Sequence, residues 1–142
     1  MAAAPAFGFD MTQTATELTP VVPERKLRIL IVEDHAATRL AMSRLIRQAG
    51  ADVQTARDGE EGLGFLLTQR FDVLLTDLRM PVMDGFELLH HAMKLPDTHR
   101  PTRIIAISGE YESGALAGQP VQFLAKPFNL NTLLDMLGGK PN

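Results

Sequence analysis

Short apolar runs that alternate with amphipathic stretches are the feature that most constrains the fold of this chain. The runs are mostly apolar and β-branched, which is typical of strands that are covered on both faces of a sheet. Four runs are clear and the one at 52–56 is weaker; in chain order they span residues 27–32, 52–56, 73–76, 103–107 and 121–125. Strands that alternate with helices in this way predict a parallel sheet built from repeated strand-helix units.

The stretches between the strands predict helices that lie on the sheet. In residues 39–49 the apolar residues share one side of the helical wheel, and the opposite side, which includes Ser43, is polar apart from Leu40. The side expected to be buried consists of Ala41, Met42, Leu45, Ile46 and Ala49. We therefore expect this helix to lie with that side against the sheet.

Three further helices have recognisable ends. Asp58 is a suitable N-cap for a helix to about residue 69, and Asn129 for a short last helix that the glycines at 138–139 end. A helix over residues 84–94 is expected to face the core with Phe86, Leu89 and Met93. Five strands and about five helices, joined by right-handed crossovers, predict a doubly wound α/β sheet that binds ligands at the carboxyl ends of its strands.

Composition limits the classes of protein to which the chain can belong. With 142 residues, 45% of them hydrophobic, it suits one folded domain, expected at 26–142, while the Ala-, Thr- and Pro-rich residues 1–25 predict a flexible N-terminal tail. The net charge of -3 argues against nucleic-acid binding. No apolar run is long enough to predict a membrane span. The absence of cysteine excludes thiolate metal sites and favours a reducing compartment, so the cytoplasm is the expected location.

Polar residues stand at the ends of the strands, where the predicted fold binds its ligands. In strand order they are Glu33 and Asp34, then Asp77, Ser108 and Lys126. Three carboxylates held together repel one another unless a cation lies among them, and an all-oxygen site suits Mg²⁺. A carboxylate can also attack phosphorus, while a metal ion, a lysine and a hydroxyl neutralise or bind the phosphoryl oxygens. The set therefore matches the requirements of phosphoryl transfer to a carboxylate.

Simpler explanations exist for each of these residues when it is taken alone. Helix capping, a turn or a solvated surface position is the alternative for Glu33, Asp34, Ser108, Lys126 and the Asp84-Gly85 pair. The His90-His91 pair looks like a metal site, but neighbouring helix positions face different ways, so we expect no metal there. Glu33, Asp34, Ser108 and Lys126 all stand at the ends of predicted strands, and this shared placement favours the functional interpretation.

Three segments closely resemble the signature segments of response regulator receiver domains. They are ILIVED at 29–34, TDLRMPVMDG at 76–85 and KPF at 126–128. The resemblance covers about residues 26–138. It implies a flavodoxin-like five-stranded parallel sheet in the order 2-1-3-4-5, and a cis peptide bond between Lys126 and Pro127.

The same resemblance implies a phosphoacceptor and a metal site. Asp77 would accept a phosphoryl group from a phosphohistidine on a sensor histidine kinase or a histidine phosphotransfer protein. Mg²⁺ would be bound by Asp34, Asp77 and the backbone carbonyl of Arg79, with Glu33 acting mainly through a bound water. These implications make the chain a phosphorylation switch of a two-component system or phosphorelay.

Three more residues receive roles from the resemblance. Lys126 would contact the phosphoryl group and Ser108 would turn its hydroxyl toward it. Phe123 would be the aromatic residue that changes position with Ser108, although it could also be a simple core residue. Together Ser108 and Phe123 would form the switch that reports phosphorylation.

The chain departs from the family pattern after Ser108. The segment up to Lys126 is several residues shorter than usual and is rich in glycine, so we expect a shortened or irregular fourth helix, between the fourth and fifth strands, and an output surface elsewhere. Arg79 and Glu110 stand two residues after Asp77 and Ser108, where both would flank the path of water to the phosphate. We expect an ion pair between them to slow hydrolysis, although an exposed pair contributes little energy.

No second domain is apparent after Lys140, so a stand-alone receiver acting through an unknown downstream protein is the expected function, with no activity beyond its own phosphorylation and dephosphorylation. The alternative is a receiver-like interaction module that acts independently of phosphorylation. A flavodoxin-like enzyme or nucleotide binder is disfavoured, because the first strand is followed by Glu33 and Asp34 rather than by a glycine-rich phosphate loop.

Overall fold

A computed structural model describes residues 26–80, 82–109 and 120–138 of the chain. These residues form five strands and four helices. In chain order the elements are β1 (Arg28–Val32), α1 (Ala36–Gln48), β2 (Asp52–Ala56), α2 (Gly59–Thr68), β3 (Val73–Asp77), α3 (Gly85–Met93), β4 (Arg103–Ser108), β5 (Gln122–Ala125) and α4 (Leu130–Gly138).

The five strands form one parallel sheet in the order β2-β1-β3-β4-β5, which confirms the predicted flavodoxin-like topology. Alternate side chains of β1 point to opposite faces, as the two-residue repeat of a strand requires. Ile29 and Ile31 pack in a core cluster with residues of α1 and α4, whereas Leu30 and Val32 pack in a second cluster with residues of α2 and α3. The sheet is therefore covered on both faces, which explains why its strands are apolar runs.

The strands lie where the sequence predicted them. The weakest candidate, β2, has the predicted bounds, and the others differ by one residue at one end. The differences at β3 and β4 affect the site, because these strands continue to Asp77 and Ser108. Both residues are thus held by the sheet itself rather than by the loops that follow.

The buried side of α1 differs from the prediction. Met42 and Ile46 are buried as expected, but Ala41 and Ala49 are exposed and Leu45 is only half-buried. Ser43, expected on the polar side, is 2% exposed, and its hydroxyl donates to the carbonyl of Leu40 at 3.0 Å. This backbone bond lets a small polar residue lie at the helix-sheet contact without an unsatisfied hydroxyl.

Phe86, Leu89 and Met93 of α3 all pack in or against the core cluster, as predicted, but Leu89 alone of the three is fully buried. Leu88 and Ala92 are buried, whereas Phe86 and Met93 are half-buried at the edge of the core. α3 packs against α2 as well as against the sheet. The fully buried residues of α3 therefore differ from those on the apolar stripe of its helical wheel.

The predicted helix starts are confirmed by hydrogen bonds. The carboxylate of Asp58 accepts from the amide of Glu61 at 2.8 Å, and that of Asp84 accepts from the amide of Glu87 at 2.9 Å. The Asn129 side chain accepts from the amide of Asn131 at 2.7 Å. Such caps satisfy amides that have no partner within the helix.

Some expectations lie outside the described residues. They concern the tail at 1–25, the helix between β4 and β5, Glu110 and the last residues of the chain, since residues 1–25, 81, 110–119 and 139–142 are not described. Within the described ranges, no helix combines the length and the apolar character that a membrane span requires.

Candidate functional site

Three acidic side chains meet at the carboxyl ends of β1 and β3. Asp77 is the last residue of β3, and Glu33 and Asp34 directly follow β1, its neighbour in the sheet. One carboxylate oxygen from each lies within 4.8 Å of the others. Glu33 is 2% exposed and Asp77 3%, while Asp34 is exposed to solvent. The order of the strands therefore brings the three acids predicted from the sequence together.

Both oxygens of the Asp77 carboxylate accept a hydrogen bond. Oδ2 accepts from Nζ of Lys126 at 2.6 Å, and Oδ1 accepts from the backbone amide of Arg79 at 3.2 Å. Lys126 directly follows β5, where its own amide donates to the carbonyl of Ser108 at 2.7 Å, and the expected cis bond joins it to Pro127. Asp77 is thus held in one orientation, with a cation in direct contact.

Glu33 is held less completely. Its amide donates to the carbonyl of Ala56 at 3.0 Å, and its Oε2 accepts from the amide of His35 at 3.0 Å. Its Oε1 is buried and, among the residues that the structure describes, has no hydrogen-bond partner. An unsatisfied buried oxygen of this kind costs about 1–3 kcal/mol.

The electrostatics of the cluster favour an added cation. Burial raises the pKa of Glu33, and the charges of Asp77 and Asp34 raise it further, against the lowering effects of the His35 amide and Lys126. Burial lowers the pKa of Lys126, but the hydrogen bond to Asp77 and the charges of the three acids outweigh burial and raise it overall. In the ranges that the structure describes, three carboxylates lie together with the cation of Lys126, and one buried carboxylate oxygen has no partner. The residues therefore fit a hard divalent cation such as Mg²⁺.

The loop from β3 to α3 packs closely against its surroundings. The amide of Gly85 donates to the carbonyl of Leu78 at 3.0 Å, and the amide of Gly59 donates to the carbonyl of Met83 at 3.0 Å. A Cβ on Gly85 would collide with the carbonyl of Asp77, and one on Gly59 with that of Met83. Glycine is required at these points of close approach, and the contacts fix the loop that contains Arg79.

The two residues expected to act as a switch lie on neighbouring strands. Ser108 is 4% exposed at the end of β4, one residue beyond the partner of Asp77 in the register of β3 and β4. Phe123 is half-buried on β5, paired with Ala106, and packs against the core cluster on the α2 and α3 face of the sheet. Arg79 is exposed at the beginning of the loop after Asp77, and its expected partner Glu110 lies outside the described residues.

The histidine pair does not join a metal cluster. The rings of His90 and His91 are edge to face, with centroids 5.9 Å apart and planes at 70°. Among the described residues, the three acids above form the one group of at least three possible ligands.

Sequence reasoning missed two contacts around Glu33. The first is the amide of His35, which no sequence pattern identifies. The second is Arg39, which was assigned to the polar side of its helix but donates to the carbonyl of Glu33 at 2.9 Å. Its signal in the sequence is a cation close to a helix start, where a positive charge is unfavourable.

The sheet is parallel and doubly wound, with acids at the carboxyl ends of β1 and β3 and a lysine directly after β5. This combination defines a class of signalling domain, the receiver. The family model for the response regulator receiver domain matches residues 29–138, and the chain belongs to that family. It is a receiver domain of two-component signalling.

Curated relatives are much longer proteins. The chain is 36% identical over 119 residues to sensor protein EvgS of Escherichia coli K12, covering 80% of this chain and 10% of that protein. It is 36% identical over 110 residues to protein-glutamate methylesterase/protein-glutamine glutaminase 3 of Geobacter sulfurreducens, covering 72% of this chain and 28% of that protein. The chain therefore spans about a tenth to about three tenths of the length of these two relatives.

Two solved structures of similar proteins are matched over nearly their whole length. Chemotaxis response regulator CheY4 of Vibrio cholerae is 34% identical, with a TM-score of 0.71 over 80% of this chain and 98% of that one. The receiver domain of sensor histidine kinase PA1611 of Pseudomonas aeruginosa PAO1 is 28% identical, with a TM-score of 0.70 over 80% and 95%. That structure has a magnesium ion coordinated in its active site cleft.

Proposed function

We propose that this chain is a phosphorylation switch that accepts a phosphoryl group on Asp77 in a Mg²⁺-dependent reaction. The observation that carries the proposal is the buried Asp77 carboxylate, bonded to Lys126 and within 4.8 Å of the carboxylate oxygens of Glu33 and Asp34. A buried acid with its own cation and two acidic neighbours is suited to nucleophilic attack on phosphorus and to metal binding.

The proposed donor is a phosphohistidine on a sensor histidine kinase or a histidine phosphotransfer protein. An Asp77 oxygen forms the new bond to phosphorus while the bond between phosphorus and the imidazole nitrogen breaks. The electron pair of that bond stays on the nitrogen, and an imidazole protonated on its other nitrogen leaves as the neutral base. The product on this chain is an acyl phosphate, and attack by water returns the Asp77 carboxylate and inorganic phosphate.

Asp34, Asp77 and the carbonyl of Arg79 would hold the Mg²⁺, with Glu33 acting through a bound water. When bound, the ion supplies positive charge for the phosphoryl oxygens and offsets the repulsion among the acids. Lys126 already donates to Asp77 and would donate to a phosphoryl oxygen once the Asp77 charge is consumed. The magnesium ion in the PA1611 receiver is consistent with this assignment.

Readout and lifetime are proposed for the remaining residues. Ser108 would donate to the phosphoryl group, and Phe123 would move with it and change the surface seen by a downstream protein. Arg79 and Glu110 would flank the path of water and slow hydrolysis. We also propose that residues 26–142 are the receiver and residues 1–25 a tail outside it. The proposed chemistry of this receiver is its own phosphorylation and dephosphorylation at Asp77.

Intact mass spectrometry after incubation with acetyl phosphate tests the central step. We expect a gain of one phosphoryl mass in the wild type with Mg²⁺, and none with EDTA or in Asp77→Asn. Asp58→Asn is the matched control, because Asn caps a helix as well as Asp does and Asp58 is not one of the three acids of the cluster. It should be phosphorylated like the wild type.

Two results would contradict the proposal. Phosphorylation of Asp77→Asn at the wild-type level would place the acceptor elsewhere. No phosphorylation of the wild type, either by acetyl phosphate or by a phosphorylated histidine phosphotransfer protein, would favour the alternative of an interaction module that acts independently of phosphorylation.

A further inference from the structure

Arg39 connects α1 to the acidic site through the backbone. It is the fourth residue of α1, is half-buried, and its Nη1 donates to the carbonyl of Glu33 at 2.9 Å. This carbonyl belongs to the peptide that joins Glu33 to Asp34, so the bond acts on the two acids of the β1-α1 loop together.

The beginning of α1 is unlike those of α2 and α3. Those helices begin directly after Asp58 and Asp84, which cap them, and have acids in their first turns. α1 begins after His35, which makes no side-chain capping bond, and its first turn has no acid. A cation next to such a helix start opposes the helix dipole, which costs about 0.3–1 kcal/mol. Local helix stability therefore does not account for Arg39, whereas its bond to Glu33 does.

The contacts of Glu33 explain what the arginine controls. The amide of Glu33 is bonded to Ala56, its carbonyl to Arg39 and its Oε2 to the amide of His35. Within the described part of the chain, its Oε1 has no hydrogen-bond partner. The bond to Ala56 joins the ends of β1 and β2, and the bond to the His35 amide lies within the β1-α1 loop. The Arg39 side chain supplies the hydrogen bond to the carbonyl of the 33–34 peptide, in addition to the backbone bond from its own amide to the His35 carbonyl. Loss of the side-chain bond removes one of the restraints on the orientation of that peptide.

We propose that Arg39 is a positioning residue that fixes the directions of the Glu33 and Asp34 carboxylates toward a divalent cation. The inference rests on the proposed function for the identity of the ion, Mg²⁺. The effect of Arg39 on the β1-α1 loop does not require a bound ion. Residues that orient metal ligands typically change metal affinity by about ten- to a hundredfold when they are replaced.

The test compares Arg39→Met with Arg44→Met, an exposed arginine on the same helix. Two quantities are measured by NMR: the dissociation constant of Mg²⁺ by titration, and the hydrogen-exchange rate of the His35 amide in EDTA. In Arg39→Met we expect Mg²⁺ affinity about tenfold weaker and His35 exchange about tenfold faster. Arg44→Met should match the wild type in both. Arg39→Lys keeps the charge and a donor and should recover part of each effect.

The outcomes separate this inference from the proposed function. Equal Mg²⁺ affinity and equal His35 exchange in the Arg39 and Arg44 variants would overturn the role of Arg39, even if Asp77 is phosphorylated. If the wild type bound no Mg²⁺, the proposed function would fail, whereas the exchange measurement in EDTA would still decide whether Arg39 holds the loop. If Arg39→Met does not fold, the same two measurements on Arg39→Lys decide, and wild-type values in both would contradict the inference.

Discussion

Replacing Glu33 by Gln should stabilise the Mg²⁺-free chain and weaken its binding of Mg²⁺. The carboxylate is 2% exposed, and one of its oxygens has no partner among the residues described by the structure. Burial raises its pKa, and the adjacent acids raise it further. Gln has the same shape, keeps an oxygen for the amide of His35, and offers an NH₂ group that can donate to a neighbouring carboxylate. The substitution thus removes a buried charge and preserves the local hydrogen bond.

The magnitude follows from the distances in the cluster. Two like charges 4.8 Å apart repel by about 3.5 kcal/mol at an effective dielectric constant of about 20. Lys126 offsets the repulsion from one carboxylate, and water screens the exposed Asp34. We therefore expect the free energy of unfolding in EDTA to rise by about 1–3 kcal/mol in Glu33→Gln, which is also the range for an unsatisfied buried group.

The effect should depend on pH with a definite sign. The pKa of Glu33 is raised above 4.5 in the folded chain, so the folded state binds this proton more tightly than the unfolded state does. As the pH falls through the folded-state pKa, the wild type gains stability relative to Glu33→Gln. The difference between the two should be largest near neutral pH and should disappear toward pH 4.5.

Urea denaturation followed by circular dichroism measures these differences, since the chain has no Trp to serve as a fluorescent probe. At a Mg²⁺ concentration 100 times its dissociation constant, the wild type should gain about 2.7 kcal/mol over its value in EDTA, and Glu33→Gln less at the same concentration. Glu60→Gln, an exposed control, should differ from the wild type by less than about 0.5 kcal/mol. A Glu33→Gln chain no more stable than the wild type in EDTA at neutral pH would refute the argument.

Two further substitutions probe the supports of Asp77. Lys126→Met leaves Asp77 buried without its cation and should lower the free energy of unfolding in EDTA by about 1–3 kcal/mol, a range reduced because the lysine side chain is 35% exposed. Replacing the exposed Lys94 by Met should have little effect, and equal free energies of unfolding for the two variants would contradict the role of the Lys126–Asp77 pair. Because the pKa of Lys126 is raised above 10.5 in the folded chain, its contribution should be complete below pH 10.5 and lost as the pH rises through the folded-state value, which denaturation at alkaline pH measures. Gly85→Ala should destabilise the chain by about 1–3 kcal/mol because the new Cβ collides with the Asp77 carbonyl, whereas Gly64→Ala, in open space within α2, should stabilise it by about 0.5–1 kcal/mol. If thermal or urea unfolding showed that both variants change the stability in the same direction, the packing argument would be refuted.

β1, β3 and β4 could be predicted from the sequence because burial on both faces demands continuous apolar runs. The edge strand β2 contains Asp52, Gln54 and Thr55, and its signal in the sequence was correspondingly weaker. Helix starts were predictable because capping is local: Asp58 and Asp84 each bond an amide three residues ahead. The buried faces of the helices were predicted less well. A helical wheel shows where apolar residues cluster, but it does not include the packing of α3 against α2, and Leu88 and Ala92 are the additional residues of α3 that are buried.

What the sequence by itself determined is the set of chemical groups and the edge of the sheet where they meet. Parallel strands bring their carboxyl ends together, so the order of the strands is enough to gather Glu33, Asp34, Asp77 and Lys126. Only the tertiary structure decided that Glu33 is buried while the adjacent Asp34 is exposed, and that Arg39 donates to the carbonyl between the two acids. It also decided that one Glu33 oxygen has no partner in the described ranges. These properties depend on how α1, β1 and β2 pack against one another, and no local pattern records the contacts of a residue with distant parts of the chain.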